Sequence, residues 1–392
     1  MTWQEFEQRF SIQLNEQQKQ AVQTVEGPVL LLAVPGSGKT TVLVTRLGYM
    51  IHCKGIDPRR ILTVTYTVAA TKDMAARFAA KFGPELAEQL EFRTINGICA
   101  KVLQYYGYRT GKTPHQLLND ENRIAGILAE IYQRVERVYP TDGDLKNIRM
   151  LITYIKNMML NEDEIEALDE GAECKISVIY REYCSKLKEL QMIDYDDQMV
   201  YAYVMLKKIP WLLAYFQELY PYICVDEAQD TSKIQHAIIA LLAARMENLF
   251  MVGDEDQSIY GFRAAYPEAL LEFEQRHRGA KVLLMEENFR SDANIVAAAD
   301  HFIQKNTLRH EKHMRAFRES VQQIKEIPVG TRKAQYAYLA KVAEGCTTET
   351  AVLYREHECA LPLIDLLERK GIPYRMRNAE LTFFTHRVVQ DI

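Results

Sequence analysis

The sequence predicts an α/β fold in which a helical segment interrupts a parallel sheet. Apolar, β-branched runs typical of buried parallel strands occur at residues 28–34, 61–66, 222–225, 249–252 and 282–285. Between about residue 100 and residue 190 the apolar side chains recur at helical spacing instead. We therefore expect the strand runs on both sides of this segment to form one domain.

The chain after residue 286 predicts a second α/β unit. A helical stretch and a basic segment around Arg309 and Lys312 lead to a predicted strand at 351–354, a helix at 361–370 and a short apolar run at 372–374. The predicted segments are 1–104 and 191–286 for the first α/β domain, 105–190 for the helical insertion, and 287–392 for part of a second α/β domain.

Composition argues against a membrane or secreted protein. The longest apolar run, residues 237–244, is far shorter than the ~18 residues of a membrane span, and the N-terminus is polar and acidic. Seven cysteines with no C-x-x-C pair indicate reduced thiols and neither a disulfide framework nor a zinc site. We expect a cytoplasmic protein with no membrane partner. Because the net charge is −5, nucleic acid would need a local binding groove.

A glycine-rich segment after the first strand run has the pattern of a phosphate-binding loop, with alanine in place of the first glycine. Its residues are Ala33, Val34, Pro35, Gly36, Ser37, Gly38, Lys39 and Thr40. The two glycines let backbone N–H groups turn towards phosphates, and the N-terminus of the helix that follows favours an anion. Lys39 can reach the β- and γ-phosphates, and Thr40 can bind Mg²⁺.

Two carboxylates follow the strand run at 222–225. Asp226 and Glu227 stand where that strand ends, which is the edge at which parallel sheets bind ligands. This placement predicts that Asp226 holds Mg²⁺ and that Glu227 orients or deprotonates the attacking water.

Seven segments, in order, resemble the motifs of the UvrD/Rep/PcrA-like superfamily 1 DNA helicases. Residues 14–18 resemble the Q motif, 65–77 motif Ia, 94–97 the next DNA-contact motif, 226–231 motif II, 252–263 motif III, 288–291 the Asn-Tyr-Arg-Ser motif and 353–355 motif IV. The resemblance implies a RecA-like P-loop domain with a helical insertion, followed by the beginning of a second RecA-like domain.

By this resemblance, several residues acquire expected roles in binding ATP. Gln18 would read the adenine edge, Gln257 would sense the γ-phosphate, and Phe289 would stack on adenine. Three arginines, Arg77, Arg290 and Arg355, would approach phosphates. The implied cofactors are ATP and Mg²⁺.

The same resemblance implies contacts with one DNA strand. The expected contact residues are Tyr66, Thr67, Thr94, Tyr260 and Phe262. The implied activity is 3′ to 5′ translocation on single-stranded DNA, or at a junction of single strand and duplex, driven by ATP hydrolysis. Motifs V and VI do not occur before Ile392, so we expect a truncated motor that binds ATP and hydrolyses it slowly.

Two other functions are compatible with the sequence. The chain could be part of the motor subunit of a helicase–nuclease resembling the RecB or AddA group. It could also be an ATP-gated DNA-binding module without unwinding activity, which is favoured by Val68 and Ala69 where the family has Asn-Lys. The presence of Glu227 and Gln257 favours an enzyme, because a pure binding module has no chemical need for them.

Overall fold

A computed structural model describes residues 1–259, Gly261 and residues 264–376. In this part of the chain the strands are β1 (Val29–Ala33), β2 (Ile61–Thr65), β3 (Glu91–Thr94), β4 (Gln116–Leu117), β5 (Met192–Ile193), β6 (Tyr222–Val225), β7 (Asn248–Gly253), β8 (Lys281–Met285), β9 (Glu287–Asp292) and β10 (Arg315–Arg318).

The helices in the same part of the chain are α1 (Trp3–Phe10), α2 (Glu16–Gln23), α3 (Lys39–His52), α4 (Val68–Phe82), α5 (Pro84–Ala87), α6 (Ile95–Thr110), α7 (Glu121–Glu136), α8 (Asp142–Met158), α9 (Glu162–Ala167), α10 (Ile176–Glu189), α11 (Tyr195–Lys208), α12 (Pro210–Leu219), α13 (Lys233–Ala243), α14 (Glu268–Leu271), α15 (Phe273–Arg276), α16 (Ala293–Ile303), α17 (Arg332–Glu344) and α18 (Leu361–Arg369).

Six strands form one sheet in the order β3-β2-β6-β7-β1-β8, and every pairing in it is parallel. The predicted α/β fold with a parallel sheet is therefore confirmed. Side chains of β1 alternate between two cores, as a strand covered on both faces requires. Leu30 and Leu32 pack with residues of α6 and α11 to α13, whereas Val29 and Leu31 pack with residues of α1 to α4.

A buried arginine holds α2 against the sheet. The Arg46 guanidinium donates to the carbonyl oxygens of Ala21, at 2.8 Å, and of Val25, at 3.2 Å, and it also donates to the carbonyl of Thr24. It lies 3.8 Å from the centroid of the Phe250 ring. A cation at the carboxyl end of a helix interacts favourably with the helix dipole and satisfies the last carbonyls. This contact fixes α2, which carries Gln18.

Helices α7, α8 and α10 build a separate apolar core, and a buried lysine lies where this helical segment meets the sheet domain. Lys156 of α8 lies 2.7 Å from Asp194 Oδ2 and 2.8 Å from Asp197 Oδ1, and its side chain is 1% exposed. The Ser232 hydroxyl donates to Asn157 Oδ1 at 2.9 Å. The helical segment is thus tied to the sheet domain by ion pairs and a hydrogen bond.

The predicted strand at 351–354 is wrong, and the apolar run at 372–374 does not form a strand either. Leu353 is 93% exposed, and neither run pairs with a strand in the described part of the chain, so apolar residues alone do not produce a ladder. Strands β9 and β10 were not predicted, because the sequence of β9, Glu-Asn-Phe-Arg-Ser-Asp, contains no apolar run. They pair with each other in parallel through their backbones.

The chain forms two compact units, and the first comprises Met1–Gln322 while the second begins at Gln323. Residues 287–322, which the sequence assigned to a second domain, belong to the first unit by this division. In the second unit, α17 and α18 pack through Ala340, Leu363 and Leu367. The four predicted segment boundaries remain predictions.

The described residues contain no helix that combines the length and apolar character needed to cross a membrane. All seven cysteines lie in the described ranges and are free thiols there, as the sequence predicted.

Candidate active site

The phosphate-binding loop joins β1 to α3 at the carboxyl edge of the sheet. Val34 N donates to the carbonyl of Met285 at 2.9 Å, and the Ser37 hydroxyl donates back to the carbonyl of Val34 at 2.7 Å. Gly36 and Gly38 have φ values of +73° and +88°, a region that side chains disfavour. Since α3 begins at the end of this loop, its free N–H groups point to the position an anion would take.

Strand β9 lies directly against this loop. Phe289 N donates to the carbonyl of Gly36 at 3.0 Å. A Cβ atom at Gly36 would lie 2.8 Å from Arg290 Cβ and 2.9 Å from Asn288 Oδ1, so only glycine fits. The structure therefore brings Phe289 and Arg290 next to the phosphate-binding loop, although they are far from it in the chain.

Gln18 is buried and supports the loop from α2. Its Nε2 donates to the carbonyl of Ser37 at 2.9 Å, and its Oε1 accepts from Asn15 N at 3.1 Å. Gln18 Nε2 can still donate one more hydrogen bond, and Gln18 Oε1 can still accept one more. The predicted contact with adenine thus has to use those remaining positions.

The loop lysine contacts the predicted catalytic glutamate. Lys39 Nζ lies 2.9 Å from Glu227 Oε2, and Glu227 has a φ of +49°, an uncommon conformation for a residue with a side chain. Burial on its own would raise the pKa of Glu227, but the Lys39 ammonium and the hydrogen bonds from Gln229 and Lys39 hold that pKa below its usual value. The positive charge of Arg290 also lowers the pKa of Glu227, so Arg290 acts on this site. Glu227 is therefore held as a carboxylate.

Asp226 has a different environment from its neighbour. It is buried at the end of β6, where its N–H donates to the carbonyl of Val64 at 2.9 Å. Burial, together with the adjacent charge of Glu227, raises the pKa of Asp226 to about 6, and Lys39 offsets only part of this effect. A nearby cation such as Mg²⁺ would stabilise its ionised form.

Gln257 is connected to Glu227 through two intermediate residues. Gln229 Nε2 donates to Glu227 Oε2 at 2.8 Å, and Gln229 Oε1 accepts from Asp254 N at 3.1 Å. Asp254 Oδ2 in turn accepts from Gln257 Nε2 at 2.7 Å. Gln229 and Asp254 were not predicted from the sequence, in which their only signal is their position inside the matched motifs.

Three consecutive acids after β7 bind a buried lysine. Lys312 Nζ lies 3.1 Å from Asp254 Oδ1, 2.7 Å from Glu255 Oε1 and 2.9 Å from Asp256 Oδ2, and its side chain is 1% exposed. Arg309 donates from Nε and Nη2 to Asp256 at 2.8 to 3.0 Å. We refer to these five residues as the buried ion cluster.

The buried ion cluster keeps Glu255 and Lys312 charged. Burial would raise the pKa of Glu255, but hydrogen bonds from His310 and Lys312 lower it to about 2. Burial lowers the pKa of Lys312 less than the three carboxylates raise it, so the lysine stays charged. Because Lys312 and Gln257 both bind the Asp254 carboxylate, the cluster also holds Gln257.

Three of the five predicted DNA-contact residues lie in the described part of the chain, and two of these cap helices. Thr67 and Thr94 accept hydrogen bonds from Ala70 N and Gly97 N, both at 3.1 Å, and so cap α4 and α6. Tyr66 is half-buried. Tyr260 and Phe262 lie outside the described residues.

The other two predicted phosphate-contact arginines are on the surface of their own units. Arg77 pairs with Asp73 one helical turn away at 2.7 Å, with both side chains largely exposed. Arg355 is exposed in the second unit. Their predicted contacts with ATP remain predictions.

Comparison with known proteins identifies the family. Residues 14–278 match the family model of the UvrD/REP helicase N-terminal domain. The chain belongs to the UvrD/REP helicase family. Residues 283–392 also match the UvrD-like helicase C-terminal domain. The first match contains the phosphate-binding loop, Asp226, Glu227 and the residues from Asp254 to Gln257.

Relatives within the UvrD/REP family are about twice as long as this chain. The ATP-dependent DNA helicase PcrA of Staphylococcus epidermidis is 30% identical over 389 residues, which cover 97% of this chain and 52% of that protein. YjcD of Bacillus subtilis is 32% identical over 392 residues, which cover 97% of this chain and 51% of that protein. PcrA of Leuconostoc citreum is 30% identical over 387 residues, with the same coverage as YjcD. The chain spans about half the length of these relatives.

Replacing Lys312 with Met should destabilise the protein by roughly 3–5 kcal/mol, because it leaves buried carboxylates without their cation. Lys156→Met is the matched control, since that lysine is equally buried between two carboxylates. We expect both variants to lose stability in urea unfolding. Only Lys312→Met should also accelerate hydrogen exchange at the backbone N–H of Gln257. Equal exchange in the two variants would show that Lys312 does not hold the loop that contains Gln257.

The raised pKa of Asp226 predicts a pH-dependent effect of Asp226→Asn. The folded protein binds the Asp226 proton more tightly than the unfolded chain, so this group's contribution to stability is present below pH 4 and is lost as pH rises to about 6. In metal-free buffer, Asp226→Asn should therefore match the wild type near pH 4 and be more stable by roughly 2–3 kcal/mol at pH 8. Urea unfolding at both pH values measures this difference. If Asp226→Asn were less stable than the wild type at pH 8, burial would not be what destabilises the ionised Asp226.

Proposed function

We propose that this chain binds ATP with Mg²⁺ and hydrolyses it slowly, as part of a motor that moves along single-stranded DNA. The observation that carries the proposal is the contact between Lys39 of the phosphate-binding loop and Glu227 at the end of β6, with Asp226 beside it. The relatives are named ATP-dependent DNA helicases, which agrees with this chemistry.

Each site residue has a proposed role in phosphoryl transfer. Backbone N–H groups of residues 34–40 and the Lys39 ammonium bind the phosphates, and Arg290 adds positive charge near Glu227. Glu227 orients the attacking water and accepts its proton, and its lowered pKa supports this role because the carboxylate is already ionised at neutral pH. Gln257 senses the γ-phosphate, and Gln229 and Asp254 connect it to Glu227. Phe289 and the free positions of Gln18 bind adenine.

The donors at this edge of the sheet fit Mg²⁺. The Thr40 hydroxyl and the Asp226 carboxylate are hard oxygen ligands, and Mg²⁺ at nucleotide sites takes its other ligands from phosphates and water. Burial and the adjacent charge of Glu227 raise the pKa of Asp226, so a divalent cation at this position would stabilise its ionised form. When bound, Mg²⁺ would neutralise charge on the phosphates.

The phosphates of ATP would compete with Glu227 for the Lys39 ammonium. A triphosphate in the loop attracts Lys39 more strongly than one carboxylate does, because it carries more negative charge. Glu227 would then lose its cation but keep the hydrogen bond from Gln229. A carboxylate released in this way is a better base, so binding of the nucleotide would itself prepare the site.

We further propose that one DNA strand crosses the carboxyl edge of the sheet in the 3′ to 5′ sense. Tyr66, Tyr260 and Phe262 would stack on bases. Thr67 and Thr94 use their oxygens as helix caps, but their hydroxyl hydrogens can still donate to phosphates. Single-stranded DNA, or a junction of single strand and duplex, would be the partner, and the cytoplasm the location.

The second candidate function is an ATP-gated DNA-binding module. The observation that favours it is the exposure of Val68 and Ala69 at the start of α4, where a polar pair would be needed for strong contact with DNA. Such a module would bind DNA in response to ATP but would not use Glu227. DNA-stimulated turnover separates the two functions, because only the motor requires it.

Turnover and binding measurements with two variants test the enzymatic proposal. Lys39→Ala should abolish ATP binding, and Glu227→Gln should retain binding but lower turnover by about 10²-fold or more. Lys101→Ala is the control, because Lys101 forms a comparable partly buried pair with Glu91, at 2.7 Å, away from this site. Unchanged turnover in Glu227→Gln would exclude Glu227 as the base, and unchanged affinity in Lys39→Ala would exclude the phosphate site.

A further inference from the structure

A second surface of the sheet domain combines aromatic rings with unpaired cations. It is formed by the end of α6, the turn after it and the start of α12. We call it the aromatic–basic surface, and its residues are Tyr105, Tyr106, Arg109, Lys112, Trp211 and Tyr215.

The rings of this surface lie nearly parallel in two pairs. The ring centroids of Tyr105 and Tyr215 are 3.9 Å apart with an interplanar angle of 10°, and those of Tyr106 and Trp211 are 6.2 Å apart at 14°. The Arg109 guanidinium lies 5.8 Å from the Trp211 ring and 5.9 Å from the Tyr105 ring. The two pairs are inclined to each other, since the Tyr105 and Trp211 rings are 6.4 Å apart at 56°. The two helices thus present two stacked aromatic pairs with a cation beside them.

These rings remain accessible. Trp211 is 43% exposed and Tyr215 is 38% exposed, and Tyr108 on the same helix end is 84% exposed. Large aromatic side chains are usually buried, and a group of exposed ones marks an interaction site more often than isolated residues do.

The charge of this surface is opposite to that of the whole chain. Residues 92–119 and 198–217 contain no Asp or Glu, although the net charge of the chain is −5. They supply α6, the part of α11 that follows Asp197, and α12 as far as Gln217, with Glu218 next on that helix. In the described part of the chain, Arg109, Lys112, Lys207 and Lys208 form no ion pair with an acid. Both lysines of α11 directly precede the helix that carries Trp211. A local excess of cations in an acidic protein favours a polyanion as partner.

The aromatic–basic surface is separate from the proposed path of the translocated strand. Thr94, at the carboxyl end of β3, caps α6, and Arg109 lies at the opposite end of that helix. At about 1.5 Å per residue, the helix places Arg109 roughly 20 Å from Thr94. No residue proposed for ATP or DNA at the carboxyl edge belongs to this surface.

We propose that the aromatic–basic surface is a second binding site for single-stranded nucleic acid. Bases stack on Trp211 and Tyr215, while phosphates bind Arg109 and Lys112. Unpaired bases have exposed flat faces that match these rings, and their backbone supplies the negative charge. An acidic peptide would satisfy the cations but would not need a group of exposed stacked rings, and a duplex keeps its base faces inside the stack.

The test uses a deoxythymidylate oligonucleotide, whose binding is followed by fluorescence anisotropy at several salt concentrations. Trp211→Ala should weaken binding by about fivefold or more, because a base can no longer stack there. Arg109→Gln combined with Lys112→Gln should reduce the slope of log affinity against log salt by about 0.7 for each phosphate that is no longer neutralised. Tyr338→Ala with Lys341→Gln is the control, because this exposed aromatic–lysine pair lies in the second unit. ATP affinity should not change in any of these variants.

Photo-crosslinking separates this site from the motor site. An oligonucleotide containing 5-iododeoxyuridine should form crosslinks to peptides that contain Trp211 or Tyr215, and these should disappear in Arg109→Gln with Lys112→Gln. The charge variants alter only exposed side chains, so they keep the test valid if Trp211→Ala does not fold. Crosslinks confined to other peptides, or unchanged affinity and salt slope in both variants, would overturn the proposal. Equal competition by a duplex or by polyglutamate would also overturn it. Crosslinking at Trp211 in a protein without ATP turnover would support this site while refuting the motor.

Discussion

The contact between Lys39 and Glu227 is the interaction on which the candidate site depends. It joins residues that are 188 positions apart, and it exists because β1 and β6 end at the same edge of a parallel sheet with only β7 between them. Parallel strands gather the loops at their carboxyl ends, so a glycine-rich loop, two acids and the acidic turn after β7 meet there. Any change in the register of these three strands would separate the lysine from its carboxylate.

Buried charge is the recurring feature around this contact. Asp226, the buried ion cluster and Lys156 all place charged groups where water is excluded, and burying an ion pair seldom adds net stability. Their value lies in fixed geometry, because each carboxylate has defined partners and few alternative positions. Asp254 shows this clearly, since one carboxylate binds both Lys312 and Gln257 and its backbone N–H binds Gln229. The buried charges therefore hold the side chains of the site in fixed positions, at some cost in the free energy of unfolding.

The sequence predicted those parts of the fold that have strong local signals. Apolar runs identified the central strands because both of their faces are buried, and the glycines identified the phosphate-binding loop because its backbone needs φ values that other residues avoid. The apolar runs at 351–354 and 372–374 do not form strands, because apolar composition alone does not supply a partner strand. Strands β9 and β10 were missed, because neither contains an apolar run, and they pair through their backbones and one contact between the Phe289 and Phe317 rings.

The hydrogen-bonded connection between Glu227 and Gln257 could not be predicted for a different reason. Gln229 looks like any surface glutamine in the sequence, and Lys312 looks like part of an exposed basic segment. Their roles depend on contacts across 25 and 57 residues, which no local pattern encodes. Tertiary packing determined that Lys312 is buried among three acids, and that the turn containing Gln257 is held in place.

We expect Lys39 to exchange Glu227 for the phosphates of ATP when the nucleotide binds. Equilibrium titration of ATP with Mg²⁺ against the wild type and Glu227→Gln measures this competition directly. Removing the competing charge should tighten ATP binding by about tenfold, a free energy of about 1.4 kcal/mol. Equal or weaker affinity in Glu227→Gln would show that Lys39 and Glu227 do not share one triphosphate site, and the account would then be wrong.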